Sequence, residues 1–220
     1  MRMGILGTGS MAVALGGAWV RAGHDVRVGG RDTAAAERTA RRIGAAGHGT
    51  LAEAAAHGEA VLAAVPAGAA LELVTRVAPA LAGRVLLDCT VPMEPGDDGP
   101  VLNGHGARKL AAAAPEAHVV KVFGLVHESI WTLDRPAFEG TPLAVPFCAD
   151  APEAVRVTSA LIASMGCTPL PCGGLSRAGL LEAAAVFAIG VWWSGGEVRP
   201  AFPSPALAPG AVDDDESHAP

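Results

Sequence analysis

The sequence predicts an α/β protein built on a doubly wound parallel sheet, with a small C-terminal α/β extension. Through the first ninety residues, short apolar segments suited to buried strands alternate with segments of helical composition. Half of the residues are hydrophobic but only 4% are aromatic. We therefore expect a core of small aliphatic side chains, mainly Ala, Val and Leu.

The N-terminal segment carries the most informative motif. An apolar run at residues 2–6 predicts a buried strand, and residues 10–22 are compatible with a helix. Between them, Gly7, Gly9 and Ala12 have the GxGxxA spacing of Rossmann dinucleotide sites. Gly7 permits the tight turn, Gly9 lets a pyrophosphate approach the backbone, and Ala12 lets the helix pack on its strand. The free N–H groups of the helix N-terminus favour phosphate.

The second predicted strand, residues 25–28, indicates which dinucleotide is bound. NAD sites usually end this strand with an acidic residue that accepts a hydrogen bond from the ribose 2′-hydroxyl. Here the strand is followed by Gly29, Gly30, Arg31 and Asp32. Arg31 offers a permanently charged fork that suits a 2′-phosphate, whereas Asp32 is predicted to cap the next helix. This pattern favours NADP over NAD.

The alternation continues to the fifth strand. We predict helices at 33–43, 50–56 and 68–81, and strands at 45–48, 59–65 and 84–87, with a Thr50–Glu53 capping box. Ligands of doubly wound sheets bind beyond the carboxyl ends of the strands. The segments Gly7–Ala12, Gly30–Arg31, Val65–Pro66 and Asp88–Pro92 should therefore share one edge. The last two, including Thr90 and Pro92, are expected to flank the nicotinamide end of the cofactor.

The second half is less regular. Residues 93–106 are rich in Pro, Gly and Asp and predict a loop, and residues 124–141 are predicted to be irregular. Between and after them we expect helices at 107–114, 150–164 and 175–193, and strands at 118–123, 143–148 and 168–171. These patterns divide the chain into an NADP-binding domain over 1–194, whose C-terminal lobe is roughly 142–194, and a flexible Pro-rich and acidic tail over 195–220.

Residues 1 to about 194 resemble the NADPH-dependent reductases of the deazaflavin coenzyme F420, also called F420H2:NADP oxidoreductases. The resemblance rests on GTGSMA at 7–12 with Gly30–Arg31, AVP at 64–66, HVVKVF at 118–123, and PFCADAPE at 146–153 followed by LPCGGLSRAGLLE at 170–182. It implies a Rossmann domain with a small C-terminal lobe, and hydride transfer between NADPH and F420. It also implies roles for single residues: Thr8, Gly9, Ser10 and Met11 contact the phosphates, Gly30 and Arg31 hold the 2′-phosphate, and Val65 and Pro66 border the nicotinamide ribose.

Two other functions stay open. Val91 and Gly124 stand where the family commonly has Asn, which leaves room for a small organic substrate such as an imine, an enone or a carbonyl compound. Such a substrate would use a proton donor, and His127, next to Glu128, is the best candidate. The third possibility is a non-catalytic dinucleotide-binding protein.

Composition argues against several classes. The formal net charge of −6 disfavours a nucleic-acid partner. The long apolar run Leu180 to Trp193 contains Glu182 and predicts a buried helix, not a membrane span, and part of its surface is expected to form a homodimer. Met1 leads directly into a strand, so we expect no signal peptide and a cytoplasmic protein. The four dispersed cysteines predict free thiols and no metal site, and Cys89 is expected to be inert.

Overall fold

The computed structural model describes residues 1–201 of the 220. The first half contains five strands and four helices in strict alternation. They are β1 (Arg2–Leu6), α1 (Ser10–Arg21), β2 (Asp25–Gly29), α2 (Thr33–Ile43), β3 (Gly47–Gly49), α3 (Leu51–His57), β4 (Ala60–Ala63), α4 (Ala67–Leu81) and β5 (Val85–Asp88). The sequence therefore predicts every element of this half, with bounds that differ by one or two residues at most ends.

The second half adds seven strands and three α-helices to the described chain. They are β6 (Met93–Gly96), β7 (Gly99–Leu102), α5 (Gly106–Ala113), β8 (His118–Val122), β9 (Ala137–Phe138), β10 (Thr141–Pro142), β11 (Ala144–Ala149), α6 (Pro152–Ser164), β12 (Thr168–Pro171) and α7 (Ala178–Trp193). Short 3-10 helices span Glu128–Thr132, Leu175–Arg177 and Arg199–Ala201.

The main sheet has eight strands in the order β12-β11-β8-β5-β4-β1-β2-β3. All neighbours are parallel except β8 and β11, which are antiparallel. The strand order reverses between β1 and β4, as in doubly wound folds. The predicted fold class is confirmed, and the C-terminal lobe continues the sheet through β11 and β12 instead of forming a separate layer.

Apolar side chains of the strands alternate between two cores, one on each face of the sheet. Ile5 and Leu62 pack with Trp19 of α1 on one face. Leu6 and Val61, their neighbours along the same strands, pack on the other face with α3, α4 and α5. All of these side chains are buried, so both faces of the central strands are covered, as expected for a parallel sheet.

The helix caps follow the sequence closely. The Asp32 carboxylate accepts a hydrogen bond from the Ala34 amide at 2.9 Å and caps α2 as predicted. Thr50 and Glu53 form the predicted capping box at α3. Helix α6 begins at Pro152, two residues later than predicted, and the Asp150 carboxylate accepts a hydrogen bond from the Leu175 amide at 2.8 Å.

The predicted loop at 93–106 is in fact largely a β-hairpin, in which β6 pairs antiparallel with β7. The sequence does not predict this hairpin because each strand contains a proline, a residue that disfavours strands; Pro95 and Pro100 lie opposite each other in the ladder. Tertiary packing overrides the weak strand propensity: β7 lies on α7, where Pro100 is next to Gly190.

The described residues contain one segment, Leu175–Trp193, that is long and apolar enough to cross a membrane by length and composition alone. Its mean hydropathy is 1.4 and 33% of the segment is buried among the described residues, so the predicted buried helix is buried only in part. Glu182, in the middle of this segment, is 1% exposed and contacts buried polar groups of two other elements. The segment is thus part of the folded domain, with Leu180 and Trp193 exposed on its outer side.

Residues 195–201, at the start of the predicted tail, form structure of their own. Arg199 pairs with Glu197 at 2.8 Å and lies 4.8 Å from the centre of the Phe138 ring. The rest of the predicted tail, residues 202–220, lies outside the described residues.

Candidate functional site

The β1–α1 turn lies between the ends of two neighbouring strands. The Gly7 amide donates a hydrogen bond to the Gly29 carbonyl at 2.9 Å. Gly7 has a φ of +131°, and a Cβ atom there would lie 2.1 Å from the Ala64 carbonyl oxygen. Both the backbone conformation and the close approach of the β4 end therefore require glycine at this position.

Gly9 has a different role from Gly7. Its φ of −81° and ψ of −172° are open to any residue, yet a Cβ atom there would meet nothing within 4 Å. Gly9 is the N-cap of α1, no side chain caps this helix, and its first turn contains no acidic residue. The predicted phosphate contacts Ser10 and Met11 lie in this turn, and Ala12 is fully buried against the core. Open space before uncapped amides is what a pyrophosphate needs.

The end of β2 adds a cation beside this turn. A Cβ atom on Gly30 would lie 3.1 Å from the Thr8 methyl group, so Gly30 packs directly on the β1–α1 turn. Arg31 follows with an exposed side chain. Among residues 1–201 its guanidinium has no ion-pair partner, since the nearby Asp32 carboxylate caps α2 and lies 3.7 Å from Arg38. Arg31 is therefore available for an anionic ligand.

The ends of β4 and β5 extend the same edge. Val65 lies beside the turn, with its methyl carbon 3.2 Å from the position of a Gly7 Cβ, and Pro66 is the N-cap of α4. The Cys89 thiol donates to the Ala63 carbonyl at 3.4 Å. Burial raises the pKa of this thiol to about 12, so Cys89 is not a nucleophile, as the sequence predicted.

A cleft of about 250 Å³ opens next to the end of β5. Thr90, Pro92 and Met93 form one wall, and the first turn of α4 and the helix α5 form the others. Of the described residues, Lys109 of α5 is the only charged one that lines this cleft. The predicted residues Thr90 and Pro92 thus border a space large enough for a small molecule.

A buried cluster of charges lies behind this wall and was missed by the sequence predictions. The Lys121 ammonium lies 3.0 Å from an Asp88 carboxylate oxygen and 3.7 Å from a Glu182 carboxylate oxygen, and it donates to the Thr90 carbonyl. All three charged residues are at most 2% exposed. The available signal was a single lysine in an apolar strand and a single glutamate in an apolar helix.

His127 lies apart from these contacts, on the segment that follows β8. Its side chain is 70% exposed and lies 3.4 Å from the Glu128 carboxylate. Its Nδ1 accepts a hydrogen bond from the Ser129 amide at 3.3 Å, which caps the 3-10 helix Glu128–Thr132. The geometry therefore gives His127 a local capping contact, and its catalytic role stays a prediction.

The backbone between β8 and His127 is strained. Phe123 has a φ of +63°, although it is not glycine. Its buried ring packs edge-on against Trp19 and Trp131, at centroid distances of 5.8 and 5.2 Å. Trp131 is 1% exposed, so it is a core residue. The strain turns the chain so that Gly124 lies against Val91 and the Thr90 carbonyl.

Residues 1–201 contain no group of three or more His, Cys, Asp or Glu side chains placed to bind a metal ion. All four cysteines are free.

Comparisons with known proteins confirm the resemblance found in the sequence. Residues 2–92 match the model of the family described as NADP oxidoreductase, coenzyme F420-dependent. This match covers the β1–α1 turn, Arg31, and the ends of β4 and β5. Residues 2–92 are therefore similar to the NADP-dependent oxidoreductases of this family.

Relatives of known structure share the fold. A protein from Arthrobacter sp. FB24 assigned as an F420-dependent NADP reductase is 24% identical with a TM-score of 0.77, over 89% of this chain and 96% of that one. An imine reductase from Streptomyces aurantiacus is 18% identical with a TM-score of 0.63, over 88% of this chain and 62% of that one. Rat (Rattus norvegicus) metalloreductase STEAP3 is 30% identical over 87% of this chain, which spans 38% of its length.

Proposed function

We propose that this protein is an NADP(H)-dependent oxidoreductase that transfers hydride between NADPH and the deazaflavin coenzyme F420. The observation that carries the proposal is the exposed Arg31, which has no ion-pair partner among residues 1–201 and lies in the segment that matches the family model. It is next to the N-terminus of α1, which no side chain of the same residues caps. Arg31 and Gly30 would bind the 2′-phosphate, and the amides of the first α1 turn would bind the pyrophosphate. The name of the Arthrobacter protein supports F420 as the partner.

The residues at the nicotinamide end position the cofactor and keep water out, and we expect none of them to react. Hydride transfer is chemistry that the bound nicotinamide and its partner supply. Val65, Pro66, Thr90 and Pro92 would hold the nicotinamide end in place, and Cys89 stays protonated beneath them because burial raises its pKa to about 12. Hydride transfer of this kind needs no acid–base pair from the protein.

Cofactor choice is tested by replacing Arg31 with alanine. We expect NADPH affinity to fall roughly 10- to 150-fold, the value of one charge-assisted hydrogen bond, with NADH affinity unchanged. Arg42, exposed on α2, serves as the control: Arg42→Ala should bind both nucleotides like the wild type. Nucleotide fluorescence titration measures the NADPH and NADH affinities of both variants and of the wild type. An equal loss for NADPH and NADH in Arg31→Ala would refute the 2′-phosphate assignment.

The hydride partner is tested by mixing the protein with NADPH and F420 and following the deazaflavin absorbance band. We expect NADPH-dependent bleaching of this band at catalytic protein concentrations. No bleaching, with tight NADPH binding retained, would reject F420 as the partner.

A second function is favoured by the size of the cleft. Its volume of about 250 Å³ lies below the roughly 300–1,000 Å³ typical of pockets for drug-sized ligands. This size suits a small imine, enone or carbonyl compound, and the fold is shared with imine reductases.

His127 would be the proton donor for such a substrate. Replacing it with Gln should lower turnover of such a substrate and leave F420 reduction unchanged; an unchanged rate with both would remove His127 from the mechanism. Binding without turnover of any acceptor would indicate a non-catalytic protein.

We further propose that the protein is a cytoplasmic homodimer. The outer side of α7 supports this assembly, since Leu180 and Trp193 are 59% and 70% exposed. Light scattering should give twice the chain mass of 22.0 kDa. The double variant Leu180→Asp with Trp193→Asp should give a monomer, and a monomeric wild type would refute the proposal.

A further inference from the structure

The buried cluster of Asp88, Lys121 and Glu182 has no part in the function proposed so far. It joins three segments that are distant in sequence: the end of β5, the strand β8 and the helix α7. Their exposed fractions are 0%, 2% and 1%, so none of the three side chains can touch a ligand in the cleft. Any effect that they have on a ligand must pass through the residues that they hold.

Thr90 is the residue that the cluster holds most completely. Its amide and its hydroxyl both donate to one Asp88 carboxylate oxygen, at 2.9 and 2.8 Å. Its carbonyl accepts a hydrogen bond from the Lys121 ammonium, which in turn lies 3.0 Å from the other Asp88 oxygen. All three polar groups of Thr90 are therefore fixed. This fixes the backbone that leads into Pro92, and both residues line the cleft.

Glu182 connects the opposite wall of the cleft to the same ammonium. One of its carboxylate oxygens lies 3.7 Å from the Lys121 nitrogen and accepts a hydrogen bond from the Ala107 amide at 2.9 Å. A Cβ atom on Gly106 would lie 3.2 Å from this oxygen. The start of α5, which forms part of the cleft, is thereby placed directly against the cluster.

Stability alone does not account for this arrangement. Buried ion pairs are often no more stabilising than apolar side chains of similar volume, because desolvation offsets the attraction. Here two carboxylates share one ammonium, and the second Glu182 oxygen has no hydrogen-bond partner among residues 1–201. What the cluster does provide is directional: its hydrogen bonds to the Thr90 amide, the Thr90 carbonyl and the Ala107 amide end on backbone in or next to the cleft walls.

We propose that Lys121 is a positioning residue, which sets the two walls of the nicotinamide end through the Thr90 carbonyl and through Glu182. The inference rests on the proposed binding of NADP(H). It assigns the buried cluster to the nicotinamide half of the site, and it leaves the adenosine half, at Gly9 and Arg31, independent of the cluster.

Two probes separate the halves of the site. NADPH occupies both, whereas 2′,5′-ADP lacks the nicotinamide and occupies only the half at Arg31. We expect Lys121→Met and Glu182→Gln to weaken NADPH binding by about fivefold or more, the scale of one buried hydrogen bond, with 2′,5′-ADP affinity unchanged. Thr90→Val, which removes the hydroxyl but keeps the shape, should act in the same direction, and Thr90→Ser should restore NADPH affinity.

The control is Arg84→Met, at the opposite edge of the sheet. Arg84 donates to the Ala80 carbonyl at 2.8 Å and to the Gly58 carbonyl, so its loss also removes partly buried hydrogen bonds. We expect the ratio of NADPH to 2′,5′-ADP affinities to stay at the wild-type value in this variant. A change in the ratio as large as that of Glu182→Gln would show a general effect of destabilisation and would overturn the inference.

Failure of the inference differs from failure of the proposed function. If the wild type binds neither nucleotide, the proposed function is wrong. If it binds both, and Glu182→Gln and Thr90→Val bind both as tightly as the wild type, only the inference is wrong. Parallel losses for both probes in these variants would also overturn it. Lys121→Met leaves buried carboxylates unpaired, so these two milder variants decide the outcome if that protein does not fold.

Discussion

Alanine substitution at two neighbouring glycines should separate binding from folding. At Gly9 the backbone conformation is open to alanine and its Cβ atom would meet nothing within 4 Å. We therefore expect Gly9→Ala to change the free energy of unfolding by less than about 1 kcal/mol, because the reduced freedom of the unfolded chain is offset by the weaker N-cap preference of alanine. The new methyl group would fill the space before the α1 amides. Loss of one charge-assisted hydrogen bond there, about 1.5–3 kcal/mol, would weaken NADPH binding roughly 10- to 150-fold.

Gly7→Ala is the matched control, for which we expect a clear loss of stability. The φ of +131° and the Ala64 oxygen only 2.1 Å from the new Cβ require the β4 end to move. Backbone strain of this kind costs about 1–3 kcal/mol before the clash is counted. Urea denaturation measures the free energy of unfolding, and NADPH fluorescence titration measures binding. A Gly9→Ala protein that binds NADPH like the wild type, or that loses more than about 1 kcal/mol of stability, would refute this account of the turn.

Three further predictions test single features of the fold. Thr50→Ala removes a helix cap and should lower the free energy of unfolding by about 1 kcal/mol in urea denaturation; no change would show that the capping box is not formed. Burial lowers the pKa of His24 from its ordinary value of 6.5, so folding favours the neutral ring. Its contribution to stability should be present above pH 6.5 and lost as the pH falls below it, and His24→Gln should reduce that loss in melting curves taken from pH 7.5 to 5. Iodoacetamide should modify the partly exposed Cys172 before the other three thiols, whereas early labelling of Cys89, seen by mass spectrometry, would contradict its burial.

The sequence predicts the placement of the β1–α1 turn and of the end of β2 because the determinants of both are local. Gly7, Gly9 and Ala12 act within a single turn, and Arg31 follows a strand whose neighbours are set by the alternation of elements. The nicotinamide half depends on contacts between distant segments. Asp88 was predicted at the correct edge, but nothing near it in sequence indicates that Lys121 and Glu182 complete its surroundings.

The β6–β7 hairpin was missed for a related reason. Residues 93–102 contain two prolines and two glycines, which favour a loop when they are considered alone. The strand conformation is stabilised by packing, since Pro100 of β7 rests on Gly190 of α7. A lone glycine in an apolar helix is a weak signal for a partner almost a hundred residues away.

Charged residues inside apolar segments are the signal that could have located the buried cluster. Lys121 interrupts an otherwise apolar strand and Glu182 an otherwise apolar helix, and isolated charges at such positions are rarely buried unless they are paired. Lys121 and Glu182 carry opposite charges, one in a strand of the sheet and the other in a helix that packs against the sheet. This combination predicts that the two side chains meet. Asp88 lies at the carboxyl end of β5, beside Lys121 of β8. It therefore indicates that the charged residues meet at the ligand-binding edge of the sheet. Glu182, which argues against α7 as a membrane span, thus also connects this helix to the cleft.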